Sequence, residues 1–289
     1  MLGFYTLVVS AYQWQSLLRT EGILVDLTKL INLYMVGIAF SHFLPTSMGG
    51  DLIKAYYVGR AAQNTAGSAS AVFMARITGF LGMVLVAFPA LLIWNAHFPR
   101  QMMLLLIALS CLVLVLVGGT FLLAATFSRL LRATWIQQWI TRLVPGILQR
   151  KLFQNRVMEK VLDIGNTLIV SARQPRSITI ATLFGIMFHI VACLNYFTYG
   201  LALRMDVPFY FYLVAIPLVS LIAFLPVSIN GFGLRESALV YIFSTVHVPA
   251  SVSLLLAFVM DLQTLFFGLL GGCVYLFMDR QNKRSWDMT

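Results

Sequence analysis

The chain has 289 residues, of which 60% are hydrophobic and only 10% charged, and its mean hydropathy is +0.87. So few charges cannot cover a soluble domain of this size, so the sequence reads as a membrane protein. A net charge of +10 would suggest nucleic acid in a soluble chain. Here the basic residues fall mostly between apolar runs, where they orient helices and meet anionic lipid headgroups.

A spanning helix needs about 20 apolar residues. The first run, Leu2 to Leu18, is just long enough and ends at Arg19. No basic region or small-residue cleavage site accompanies it, so no signal peptide is expected. The run from Leu30 to Leu44 stops at Pro45 and is short for a crossing. The next piece, Gly50 to Ala62, carries Asp51, Lys54 and Arg60 and is too polar to face lipid along its length. Ala69 to Trp94 is long and apolar, with Arg76 near its start. Met102 to Ala125 is uniformly apolar. Residues 128–177 form the only long polar stretch; it is strongly basic, with Trp and Leu at helical intervals, and reads as interfacial amphipathic helices. Ile178 to Leu203 is a further span. Phe209 to Leu225 stops at Pro226, and the next piece, Gly231 to Val246, carries Arg235 and Glu236. The last run, Ala250 to Phe277, holds Asp261 near its middle.

One phrase occurs twice. Residues 43–50 and 224–231 both read Phe-Leu-Pro-x-Ser-x-x-Gly, and each stands between an apolar run and a short charged piece. Proline ends the first helix of each pair. Ser47 or Ser228 can cap the second, and Gly49, Gly50, Gly231 and Gly233 permit unusual backbone angles and close approach. The expected product is a helix N-terminus buried in the membrane, whose N–H groups favour an anion.

Placing Lys and Arg in the cytoplasm puts the basic stretch 128–177 and the C-terminal tail inside. The short pairs must then each enter and return on one side, from opposite faces. The expected fold is an all-α polytopic membrane protein with about five full transmembrane helices and two re-entrant hairpins in an inverted repeat. One transmembrane domain would cover 1–289: a first repeat over about 1–95, a linker helix and basic loop over about 102–177, and a second repeat over about 178–279. The alternative is that Pro45 and Pro226 merely kink ordinary helices.

Charges inside a membrane are costly and default to a functional reading. Lys54 and Arg235 are candidate headgroup ligands, with Asp51 and Glu236 as balancing carboxylates. Cross-hairpin pairs are expected, Asp51 with Arg235 and Glu236 with Lys54 or Arg76. These pairs could instead only staple the halves together. Asp261 is a candidate proton or ion site. His189 and Asn195 read as packing or interhelical hydrogen bonds, and Arg76 could snorkel to the inner surface. Cys111, Cys193 and Cys273 stand singly in apolar runs and read as packing residues. No nucleophile motif, metal-ligand spacing or soluble-type phosphate loop is present, so neither metal nor cofactor is expected.

Leu44, Pro45, Gly49, Gly50, Asp51 and Lys54, followed by Pro226, Ser228, Gly231, Gly233, Arg235 and Glu236, resemble the two motifs of the lysylphosphatidylglycerol synthase transmembrane region, also called the flippase-like domain family. The likeness covers nearly the whole chain. It implies an integral protein of a bacterial or archaeal plasma membrane that moves an anionic phospholipid or a polyprenyl-phosphate-linked species between leaflets. With Asn230, the residues already named then form the expected substrate site: Ser47, Gly49, Gly50, Asp51, Lys54, Arg76, Ser228, Gly231, Gly233, Arg235 and Glu236. Three departures stand out. The synthase domain of some members is absent, so aminoacylation is not expected. Many members carry a further apolar helix before the first run; the chain is expected to start after it, with its N-terminus outside. An arginine–tryptophan pair of the family is Gln13-Trp14 here. Two rival readings remain: a non-catalytic membrane partner of a glycosyltransferase or lipid synthase, docking through the basic loop, and a lipid-modifying enzyme with Asp51 or Glu236 as base.

Overall fold

The computed structural model describes residues 2–43, 49–94, 174–224 and 231–281, with isolated helical positions between 100 and 119 and at 167 and 170. The four continuous stretches hold eight helices: α1 (Leu2–Thr20), α2 (Leu27–Phe43), α3 (Gly49–Ala61), α4 (Thr65–Ile93), α5 (Pro175–Ala202), α6 (Phe209–Phe224), α7 (Leu234–Ser244) and α8 (Ala250–Gln281). No strand occurs among the described residues. Most of the apolar run 102–125 and nearly all of the basic stretch 128–177 lie outside the described residues, as do Ser47, Ser228 and Asn230.

Helix ends follow local chemistry. The Asn64 carboxamide oxygen accepts from the Gly67 N–H at 2.8 Å, so α4 starts at Thr65, four residues before the apolar run. Pro175 opens α5, where its missing N–H costs nothing. The described residues of α2 and α6 run to Phe43 and Phe224, at the beginning of the two repeated phrases. The turns after α3 and α7 each contain a left-handed non-glycine residue, Gln63 (φ 50°) and His247 (φ 62°).

Three described helices, α4, α5 and α8, are long and apolar enough to cross a membrane. At 29 residues, α4 spans about 43 Å, more than the hydrocarbon core needs. The first helix, expected as a full span, is not one of the three. It has 19 residues and buries Gln13, Trp14 and Gln15 against its neighbours. Leu254, Leu255, Phe258, Leu262, Leu265, Phe266 and Leu269 of α8 are all exposed, as are Leu183, Met187, Ile190 and Leu194 of α5. An apolar face left open on a membrane-length helix is a lipid face.

The packing falls into two groups. In the first, α1 touches α2 and α4, α2 touches α3, and α3 touches α4. In the second, α5 touches α6 and α8, α6 touches α7, and α7 touches α8. Between the groups, α1 meets α5, α2 meets α8, and α4 meets both α5 and α6. One apolar cluster centres on Trp14, Leu18, Leu30, Leu33, Val58 and Met74; the other on Phe211, Tyr212, Leu218, Leu239, Phe243 and Leu256.

Lipid tails are as apolar as leucine, so helices here associate through close contact and hydrogen bonds rather than water exclusion. Glycines supply that contact. A Cβ on Gly82 of α4 would stand 2.5 Å from the Gly185 carbonyl carbon of α5. A Cβ on Gly50 would collide with the Gly37 carbonyl oxygen and the Ser41 hydroxyl of α2. Gly50→Ala is therefore expected to force α2 and α3 apart and to cost about 1–3 kcal/mol, as overpacking does. A lower unfolding midpoint in detergent would register it; an unchanged midpoint would mean that the two helices separate freely.

Candidate functional site

A cavity of about 300 Å³ lies where α1 to α6 converge. Its polar wall comes from Gln13 and Trp14 of α1, Tyr34 of α2, Asp51 and Lys54 of α3, Arg76 of α4, His189 of α5 and Ser220 of α6; Phe80 and Phe224 contribute apolar surface.

Asp51 and Lys54 stand three residues apart in α3, which puts them on one helical face. The Asp51 carboxylate takes both neighbouring cations. Lys54 Nζ lies 2.7 Å from one of its oxygens, and Arg76 Nε lies 2.5 Å from the other. Lys54 is 7% exposed, and its ammonium sits over the Tyr34 ring, 3.7 Å from the centroid, and 5.5 Å from the Trp14 ring. Trp14 and Tyr34 meet edge to face at 5.7 Å. The lysine is thus held by one carboxylate and two aromatic faces, an arrangement that suits a desolvated cation. Among the described residues of the wall, two cations face one carboxylate.

The walls are braced by hydrogen bonds. The Gln13 amide donates to Thr78 Oγ1 at 2.9 Å, to the Ala181 carbonyl at 3.1 Å and to the Ala75 carbonyl at 3.3 Å, tying α1 to α4 and α5. The Phe80 and Phe224 rings stand edge to face at 4.8 Å and join α4 to α6.

The expected cross-hairpin pairs do not form. Arg235 is paired with Asp261 of α8 and lies 3.6 Å from Glu236. Each charged short helix is therefore paired with the long helix that follows it, Asp51 of α3 with Arg76 and Arg235 of α7 with Asp261. The reason is proximity: the α3–α4 and α7–α8 contacts put these partners side by side. Arg235, Glu236 and Asp261 do not line the cavity, so the expected site is divided in two. Its second part holds one cation and two carboxylates, the opposite balance. Arg76 pairs with Asp51 rather than snorkelling, and Asp261 serves as the Arg235 counter-ion.

The glycines stand closer to structure than to ligand. Gly49 and Gly50 are buried, and the Gly50 N–H donates to the Ser41 hydroxyl at 3.2 Å, so that helix-end donor already has a partner. Gly231 (φ 79°) and Gly233 (φ 83°) adopt the left-handed region that other residues avoid. The Gly233 N–H donates to Glu236 at 2.5 Å, so Glu236 caps α7. Asn195, expected to bond between helices, donates to Gln263 of α8 at 3.1 Å, and Tyr199 joins the same oxygen at 2.9 Å. Cys193 is buried as expected of a packing residue, whereas Cys111 and Cys273 are exposed.

Trp14, Tyr34 and Ser220 were not legible as site residues. A tryptophan or tyrosine in an apolar run is ordinarily core, and only a glutamine beside one, as in Gln13-Trp14, signals a polar face.

No curated protein and no solved structure matches the chain. The sequence model of one family, described as the lysylphosphatidylglycerol synthase transmembrane region, matches residues 1–272. The match spans both groups of helices and both halves of the divided charge cluster, and the chain belongs to that family, whose name associates it with membrane lipid handling.

Proposed function

We propose that the protein is a lipid translocase that moves an anionic phospholipid, or a lipid-linked phosphate, between leaflets. The carrying observation is the cavity of about 300 Å³ among apolar helices, walled by Lys54 and Arg76 against the single carboxylate Asp51. Charged side chains inside a membrane protein are costly and ordinarily face a cavity or mark a substrate pathway.

Access from both sides would come from an inverted repeat in which α1–α4 correspond to α5–α8, with α2–α3 and α6–α7 as re-entrant hairpins. This reading is supported by the contact pattern. Under that correspondence each contact inside the first group has a counterpart in the second, and α2–α8 is answered by α4–α6. Counted from the repeated proline, Lys54 and Arg235 occupy the same register. The basic stretch 128–177 and the tail would lie in the cytoplasm of a plasma-membrane protein.

The test is reconstitution into vesicles carrying a fluorescent phosphatidylglycerol in both leaflets, with an impermeant quencher added outside. The intact protein should expose the inner-leaflet pool to quenching, and Lys54→Gln should slow that exposure at least tenfold. Vesicles in which the inner pool stays protected with intact protein would overturn the translocase reading.

A further inference from the structure

We propose that Phe80 of α4 and Phe224 of α6 form a gate that closes the cavity toward the Trp94 end of α4, and that α6 opens it by bending at Pro217. The need for a gate rests on the translocase reading. The two helices run antiparallel between two aromatic contacts. Trp94 and Tyr210 stack at 5.0 Å, and Phe80 and Phe224 meet edge to face at 4.8 Å. Fourteen residues separate the contacts along each strand of chain, about 21 Å of helix. Both phenylalanines line the cavity. Among the described residues, the charged members of that lining lie on one side of the pair. Arg76 is about one turn from Phe80 toward Thr65, and Asp51 pairs with it. The Ala55 carbonyl, next to Lys54, accepts from Ser68, still nearer Thr65. On the other side Met83, Ala87 and Ala90 join Phe211, Val214 and Leu218 in the apolar core. The pair therefore stands at the border between the polar cavity and closed apolar packing.

One side of the gate is fixed and the other is built to bend. At the Phe80 level α4 is locked to α5: a Cβ on Gly185 would stand 2.7 Å from the Thr78 carbonyl oxygen, and Thr78 also receives the Gln13 amide. In α6, Pro217 lies midway between the two aromatic contacts, seven residues from each. Proline cannot donate to the Leu213 carbonyl, so the helix lacks a bond there. One turn on, the Ser220 hydroxyl donates to the Ile216 carbonyl at 2.9 Å, a second local cause of bending. Before the proline α6 is held fast, with Phe211 and Tyr212 both against Phe243 of α7. Past Val219 the packing loosens: Ser220 is exposed, and Ile222, Ala223 and Phe224 are only half-buried. A bend of about 20° at Pro217 would carry the tip about 4 Å. That parts two rings that meet only edge to face, and it leaves the rest of the α6 contact in place.

The experiment uses the full chain with Cys111, Cys193 and Cys273 changed to alanine and a reporter, Met83→Cys, one turn past Phe80. Met83 is 2% exposed, so a thiol there is shielded while the gate is shut. The protein is held in nanodiscs, where both faces are open to solvent, and the rate of modification by a water-soluble thiol reagent is measured. Phe224→Ala should speed modification about tenfold or more, and Pro217→Ala, which regains the helix bond, should slow it by a similar factor. Pro217→Ala breaks no side-chain pair and carries the test even where Phe224→Ala does not fold. Equal rates in the parent and in the folded variants overturn the gate. In vesicles, Pro217→Ala should also slow lipid flipping about tenfold. Flipping by the parent beside equal reporter rates removes this inference alone. Reporter rates that change as expected in a protein that flips nothing support the gate and remove the translocase reading.

Discussion

Asp51→Asn is expected to lower the stability of the folded bundle by about 3–5 kcal/mol, the cost of removing one partner from a buried ion pair. The carboxylate side chain is 13% exposed and holds Lys54 and Arg76 at once. An amide of the same shape leaves the buried Lys54 ammonium in a low-dielectric interior, with the Tyr34 and Trp14 rings beside it. The measurement is the unfolding midpoint in mild detergent, for Asp51→Asn, Lys54→Gln and the double variant. The two changes should be strongly non-additive, because Lys54 without Asp51 is the costly state and removing both relieves it. Independent, additive effects would show that the ammonium is solvated in the cavity and that the pair contributes little.

Arg235→Ala is expected both to abolish transport and to destabilise, because it leaves Glu236 and Asp261 without their cation. Their side chains are only 20% and 17% exposed, so the loss should again be about 3–5 kcal/mol. The double change Arg235→Ala with Asp261→Ala separates two roles. It restores the original charge balance of one net negative and keeps Glu236 as the α7 cap. Folding should then recover. Vesicle transport that recovers with it would make Arg235 a staple between α7 and α8. Transport that stays lost would make Arg235 part of the pathway, as its shared register with Lys54 suggests.

The charge pairs mark the limit of sequence reading. Spacing of three places Asp51 and Lys54 on one face, and that pair is present. Arg76 and Asp261 lie 25 and 26 residues from their partners, and no local period links them. Pairing Asp51 with Arg235 was the natural guess for two hairpins that face each other. Instead α4 and α8 stand closer to α3 and α7 than α3 and α7 stand to each other. The cavity shows the same limit, since it is assembled from six helices whose meeting point depends on glycine contacts such as Gly37 with Gly50 and Gly82 with Gly185.

Composition, apolar run length and the doubled Phe-Leu-Pro phrase are properties of the chain itself. They sufficed for the membrane class, the all-helical fold and the family, because desolvating a polar group in lipid is costly enough to be written in every run of residues. Which charges meet, and that Trp14 and Tyr34 enclose Lys54 beside a cavity while Arg235 stands apart from it, was decided only by the tertiary structure. In lipid the hydrophobic effect does not choose one helix neighbour over another. That choice rests on backbone contacts at a few small residues and on hydrogen bonds between distant ones, such as Gln13 with Ala181, whose partners no local pattern in the chain announces.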